Sequence, residues 1–157
     1  LKKYWNYLQL HPIESNICEY SFKFETNDIK LFGKCDRIDL VGDNDVNIID
    51  YKTSRKIDTK NELMKNIQLG IYAIFLLNEG IEINGKKIKK IPYRVKMLYL
   101  RESEPEVSIQ FTEGDLDEFL KEMIVISDRI LEENFKPNKG RHCDWCVFKD
   151  LICYEFG

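Results

Sequence analysis

The chain has 157 residues, a net charge of −3, 43% hydrophobic and 12% aromatic residues. That length and apolar share suit one globular domain with a real core and exclude a disordered or fibrous chain. No apolar run reaches a membrane span and no signal peptide is visible, so a cytoplasmic setting without a membrane partner is expected. The mildly acidic balance excludes a global basic attraction to nucleic acid and leaves that task to local patches.

Residues 1–9 read as the end of a helix. Residues 18–26 alternate as a strand, with Tyr20, Phe22 and Phe24 on one face. Residues 30–41 and 46–53 have strand character and flank Gly-Asp-Asn-Asp, a turn composition, so they are expected to form an antiparallel hairpin. With the turn centred on Asp43, Asp36 and Asp50 lie seven residues to either side and share a face. Lys52, two residues beyond Asp50, shares it too, and a slip of one residue would undo the arrangement. An ordinary ion pair on a wet sheet face would give the same pattern. Ile38 and Leu40 after Asp36, and Ile48 and Ile49 before Asp50, argue instead for a strand covered on both sides. Carboxylates are expensive there unless a cation lies between them. Two carboxylates plus water suit Mg²⁺ or Mn²⁺.

Arg55 and Lys56 follow the hairpin and are well placed to meet a phosphate backbone. Thr59 and Glu62 match a capping box that opens a helix to about Asn78, closed by Gly80. Met64, Ile67, Ile71, Ile74 and Phe75 follow helical spacing. Gln68 and Tyr72 share one helix face and, by themselves, read as the flank of that stripe. Lys86, Lys87, Lys89, Lys90, Arg94 and Lys96 in "NGKKIKKIPYRVK" are either a local basic patch or a solvated loop and strand start. Residues 93–100 and 106–111 read as a second hairpin around "ESEPE". Thr112 then caps a helix to about Glu133, with Leu116, Phe119, Leu120, Met123, Ile124 and Ile130 facing the core. A helical crossover after the third strand returns to a parallel strand, so an α/β (mixed α+β) fold with a central mixed sheet flanked by helices is expected.

Cys143, Cys146 and Cys153 close the chain with C-x2-C-x6-C spacing. In a cytoplasmic protein this favours a zinc ion or iron–sulfur cluster over a disulfide, against the plain alternative of three reduced, buried thiols. Cys35 reads as core. Cys18 is possible as a fourth ligand by position but heads a strand, and His142 adjoins Cys143 too closely to share its ion comfortably.

Asp36 in "GKCDRID", Asp50 and Lys52 in "IIDYKT", and Gln68 and Tyr72 in "QLGIY" resemble, in order, the motifs of the PD-(D/E)xK nuclease superfamily. The nearest branch is the RecB-like nucleases, including domains at the C-terminal end of UvrD/AddB-type helicases, and the likeness runs from about Glu19 to Cys153. It implies a restriction-endonuclease-like core over 1–157, with residues 140–157 as a cysteine segment. It implies a DNA hydrolase acting on single strands or duplex ends in repair or recombination, with a helicase domain or subunit as partner. It assigns Asp36, Asp50 and the Tyr51 carbonyl to the metal, Lys52 to the attacking water or scissile phosphate, and Gln68, Tyr72 and, more loosely, Glu19 to supporting the site. It also implies a four-iron four-sulfur (4Fe–4S) cluster on Cys143, Cys146 and Cys153, where the branch has C-x2-C-x5-C. The metal-ligating His that the branch carries on an upstream helix has no counterpart, since His11 follows the helix and precedes Pro12. A fragment lacking the N-terminal part of the domain, with the His and the fourth Cys, is therefore expected. The rival expectations are a catalytically silent DNA-binding or scaffold domain and, for the last segment alone, a small zinc module.

Overall fold

A computed structural model describes residues 2–13, 16–103, 105–149 and 151–153. Leu1 of the first helix, Glu104 of the "ESEPE" turn, and Asp150 and residues 154–157 of the cysteine segment lie outside the described residues. Two compact units, Leu1–Glu122 and Met123–Gly157, divide the chain.

Helix α1 (Lys2–Leu10) is followed by three antiparallel strands, β1 (Asn16–Thr26), β2 (Ile29–Val41) and β3 (Asp45–Lys52). Strand β6 (Arg94–Tyr99) then lies parallel to β3, and β7 (Glu106–Ile109) returns antiparallel to β6. The five form one sheet in the order β1-β2-β3-β6-β7. The mixed sheet follows from the crossover, since only a connection as long as a helix returns the chain to a parallel neighbour.

The hairpin register is the expected one. Arg37 faces Ile49, Ile38 faces Ile48 and Val41 faces Asp45, a pairing centred on Asp43. Ile38, Val46, Ile48 and Ile49 are fully buried, so a slip would expose the set. In β1 the alternation buries Phe22 and Phe24 while Lys23 and Glu25 stay exposed. Phe22 stacks on Phe75 with ring centroids 4.4 Å apart. Its cross-strand partner is Gly33, where a Cβ would fall 2.6 Å from the ring, so the missing side chain is what lets the ring lie over β2.

The single helix expected from Thr59 to Asn78 is two helices, α2 (Lys60–Met64) and α3 (Ile67–Asn78). The Thr59–Glu62 capping box opens α2 as expected. Asn66 then caps a second start, its side chain accepting the Leu69 N–H at 3.2 Å. Of the expected stripe, Ile74 and Phe75 are buried, Met64 and Ile71 are half-buried and Ile67 is 46% exposed, while α3 also buries Leu69, Tyr72, Ala73 and Leu76. Gly80 ends α3 with φ 71°, and a Cβ there would lie 2.5 Å from the Ile88 carbonyl oxygen.

A small hairpin, β4 (Ile81–Ile83) and β5 (Lys86–Ile88), fills part of the expected basic stretch. Its turn is Asn84-Gly85, both at positive φ, and Asn-Gly flanked by apolar residues is a strong hairpin signal in sequence. Helix α4 (Glu113–Leu131) starts at the Thr112 cap and buries Leu116, Phe119 and Met123. Leu120 and Ile124 are half-buried, and Ile130, expected in the core, is 55% exposed because it falls in the last turn. No described helix is long and apolar enough to cross a membrane.

Gly70 lies inside α3, where glycine costs about 1 kcal/mol against alanine. A Cβ at this position would fall 2.5 Å from the Phe119 ring. Gly70→Ala is therefore expected to destabilise the fold, by about 1–3 kcal/mol, rather than stabilise it. Denaturant unfolding of Gly70→Ala, alone and with Phe119→Leu, checks this: the second substitution should return much of the loss.

Candidate active site at the end of strand β3

Asp50 and Lys52 are two residues apart near the end of β3, and Asp36 is on the neighbouring β2. Asp36 stands where backbone pairing lapses. The β1–β2 ladder passes from Cys18–Arg37 to Tyr20–Cys35, omitting Glu19 opposite Asp36, and the β2–β3 ladder starts one residue later at Arg37. Glu19 has φ 57°, a left-handed conformation in mid-strand. Freed from regular pairing, Asp36 uses its side chain on the backbone: its Oδ2 accepts the Tyr51 N–H at 2.8 Å.

Asp50 is 2% exposed. Lys52 Nζ lies 2.6 Å from its Oδ2, an ion pair within the strand. Burial pushes the Asp50 pKa up and the Asp36 charge adds to the rise; Lys52 opposes both without cancelling them. Lys52 is only partly buried and is tethered on its other side by Gln68 Oε1 at 3.3 Å. Gln68 Nε2 donates to Tyr72 OH at 2.6 Å, and Tyr72 OH donates to the Lys34 carbonyl at 2.9 Å. One hydrogen-bonded chain thus runs from α3 to β2 and orients the ammonium beside Asp50. The four-residue spacing of Gln68 and Tyr72 is what lets one helix face supply both.

The structure therefore gathers Asp36, Asp50, Lys52, Gln68 and Tyr72. Glu19 sits opposite Asp36 but is ion-paired with Lys34. Lys56 is engaged by Glu62 at 2.6 Å and Asp58 at 3.3 Å, while Arg55 is exposed. Within the basic stretch, three of the six cations are ion-paired: Lys86, Lys90 and Lys96 with Asp43, Asp45 and Glu106. Cys35 is fully buried, and burial followed by the Asp36 and Asp50 charges pushes its thiol up to about 12, as suits a core residue.

The donor set fits a hard divalent cation through Asp36 and Asp50, whose oxygens are of the right type. The Asp50 carboxylate, buried beside the Asp36 carboxylate with the Lys52 ammonium on its Oδ2, is the group that such an ion would engage. Among the described residues no three His, Cys, Asp or Glu side chains gather as a metal-holding group. The same holds for the cysteine segment. Cys143, Cys146 and Cys153 are free and half-buried. The expected cluster finds no support in this geometry.

A second polar network involves Tyr51, the residue between Asp50 and Lys52. Arg37, 4% exposed, donates from Nη1 to Tyr51 OH at 2.7 Å and to Tyr4 OH at 2.9 Å, and from Nη2 to Asp39 Oδ2 at 3.0 Å. Arg37 and Asp39 had a sequence signal, a charged pair two residues apart within an apolar strand. Tyr4, brought in by α1, had none.

The family model of the PD-(D/E)XK nuclease superfamily matches residues 2–153. No curated protein matches the chain.

The raised Asp50 pKa has a signed consequence without metal. A folded pKa above the unfolded one means that Asp50 favours folding at low pH, and that this contribution is lost as pH rises through the folded value. In EDTA, Asp50→Asn should therefore be the more stable protein at neutral pH, with a higher Tm, and the gap should close in acid. Added Mn²⁺ should raise the Tm of the unsubstituted protein and leave Asp50→Asn unmoved. Thermal melts across pH, with and without Mn²⁺, check both statements.

Proposed function

The chain belongs to the PD-(D/E)XK nuclease superfamily, and we propose that it is a metal-dependent deoxyribonuclease of RecB-like type, hydrolysing phosphodiester bonds in DNA repair or recombination beside a helicase. The observation that carries this reading is the convergence of Asp36, Asp50 and Lys52 at one end of β3, with the Asp50 carboxylate buried and the Lys52 ammonium against it. A charge so placed is costly unless it serves a site.

In this reading Asp36, Asp50 and the Tyr51 carbonyl hold Mg²⁺ or Mn²⁺. The bound ion supplies Lewis acidity toward the phosphate and lowers the pKa of a bound water. Lys52, kept in place by Gln68 and Tyr72, stabilises the negative charge that develops on the phosphate in the transition state. Its partial exposure leaves it reachable by substrate. Arg55, exposed just past β3, meets the DNA backbone, single-stranded or at a duplex end. The RecB-like type and the helicase context rest on the order of the motifs. A thiolate-bound iron–sulfur or zinc group stays outside this reading, because the three thiols do not form a group.

A second reading has one observation in its favour. Lys52 closes on Asp50 at 2.6 Å and neutralises it from within the chain, as a catalytically silent DNA-binding domain would.

Incubation of labelled single-stranded and duplex DNA with Mg²⁺, Mn²⁺ or EDTA separates the two. The nuclease reading expects cleavage that needs metal, is abolished in Asp50→Ala, and falls by about 10²–10³-fold in Lys52→Met, the scale for loss of one charge-stabilising group. DNA binding that survives in all three, without cleavage in either metal, would establish the silent domain.

A further inference from the structure

We propose that Tyr51, Arg37 and Tyr4 form a clamp that fixes the spacing of the Asp36 and Asp50 carboxylates, making them positioning residues for the metal; the inference rests on the metal reading above. It starts from the lapse in backbone pairing. Regular ladder bonds set strand spacing elsewhere in the hairpin, but the β2–β3 register stops at Arg37–Ile49, one step short of Asp36 and Asp50. Something other than the ladder must hold the two carboxylates at a set distance.

Consecutive residues of β2 grip Tyr51 at its two ends. Asp36 takes the Tyr51 backbone N–H at 2.8 Å, and Arg37 donates to the Tyr51 hydroxyl at 2.7 Å. The Tyr51 hydroxyl also lies 2.7 Å from Tyr4 OH, and the two rings meet edge to face at 5.6 Å. The Arg37 guanidinium sits 5.6 Å from the Tyr51 ring centroid, a second attraction to the same side chain. Arg37 is itself anchored, with Nε 2.8 Å from Asp39 Oδ1 and Nη2 bonded to Asp39 Oδ2.

Because Asp50 and Lys52 flank Tyr51, rotation of that residue moves both. The clamp thus ties Asp36, Asp50 and Lys52 to one side chain, and Tyr4 makes the seating of α1 part of the site. Groups that only orient metal ligands typically matter by 10–100-fold in metal affinity.

The test is Mn²⁺ binding to the full chain, read by calorimetry and by the electron paramagnetic resonance of the free ion, beside Tm and DNA cleavage. Tyr51→Phe keeps the ring and removes the hydroxyl; it should weaken Mn²⁺ binding by about 10-fold or more, while cleavage recovers as Mn²⁺ is raised. Tyr4→Phe should act in the same direction and guards against a folding defect in the first variant. Tyr7→Phe is the control, since Tyr7 bonds Glu106 from the same helix without touching Tyr51; it should leave Mn²⁺ affinity unchanged. If Tyr51→Phe and Tyr4→Phe bind Mn²⁺ as tightly as the unsubstituted protein, with Asp50→Ala blind to it, the clamp is overturned and the metal reading stands. A folded unsubstituted protein that takes up no Mn²⁺ would overturn the metal reading and the clamp with it.

Discussion

An ionisable carboxylate at Asp50 sits in a strand packed among buried apolar neighbours. Ile48 and Ile49 precede it and Met97 lies beside it on β6, all fully buried. A charge in such a place is unfavourable by itself. The local design meets that cost in two ways. Lys52, two residues on, places an ammonium 2.6 Å from the buried Oδ2. Asp36 spends one oxygen on the Tyr51 N–H and so is itself held in a fixed orientation. What remains is two neighbouring carboxylates, one of them buried, served by a single ammonium, which is a poor arrangement for stability and a good one for a hard cation.

The helices serve this strand end from two directions. Helix α3 supplies Gln68 and Tyr72, which turn Lys52 toward Asp50 and bind the β2 backbone at Lys34. It does so only because Asn66 restarts the helix after α2; a continuous helix would present another face. Helix α1 supplies Tyr4 and Tyr7, which meet a buried polar network of Arg37, Asp39, Tyr51, Lys96 and Glu106 instead of an apolar stripe. Buried polar networks of this kind hold unique geometries when their members are satisfied, since any other arrangement leaves groups unpaired.

Glycine positions follow the same logic of close approach. Gly33 accommodates the Phe22 ring, and Gly70 the Phe119 ring. Both are places where an added methyl would push an aromatic out of the core. Gly70 lies between Gln68 and Tyr72, so the tight seat of α3 and the placement of those two side chains have one origin.

Much of this was legible in the sequence. The hairpin register followed from a turn composition and a period of two, because a one-residue slip would turn a buried set outward; this placed Asp36 opposite Asp50 and Lys52 beside them. The Thr59 and Thr112 caps and the Gly80 stop were equally local, resting on hydrogen bonds that span three or four residues. The Asn84-Gly85 hairpin was also written in the sequence, but its lysines read more readily as a basic loop. What tertiary structure alone decided has range in common. The break at Asn66 competes with an apolar spacing that reads straight through it, and only packing against the sheet settles which residues are buried. Tyr4 reaches Tyr51 across 47 positions, and no local pattern encodes that contact. Cysteine spacing suggested a cluster, yet spacing limits only how far apart thiols can lie along the chain. Whether they converge depends on the turns between them, which spacing does not encode.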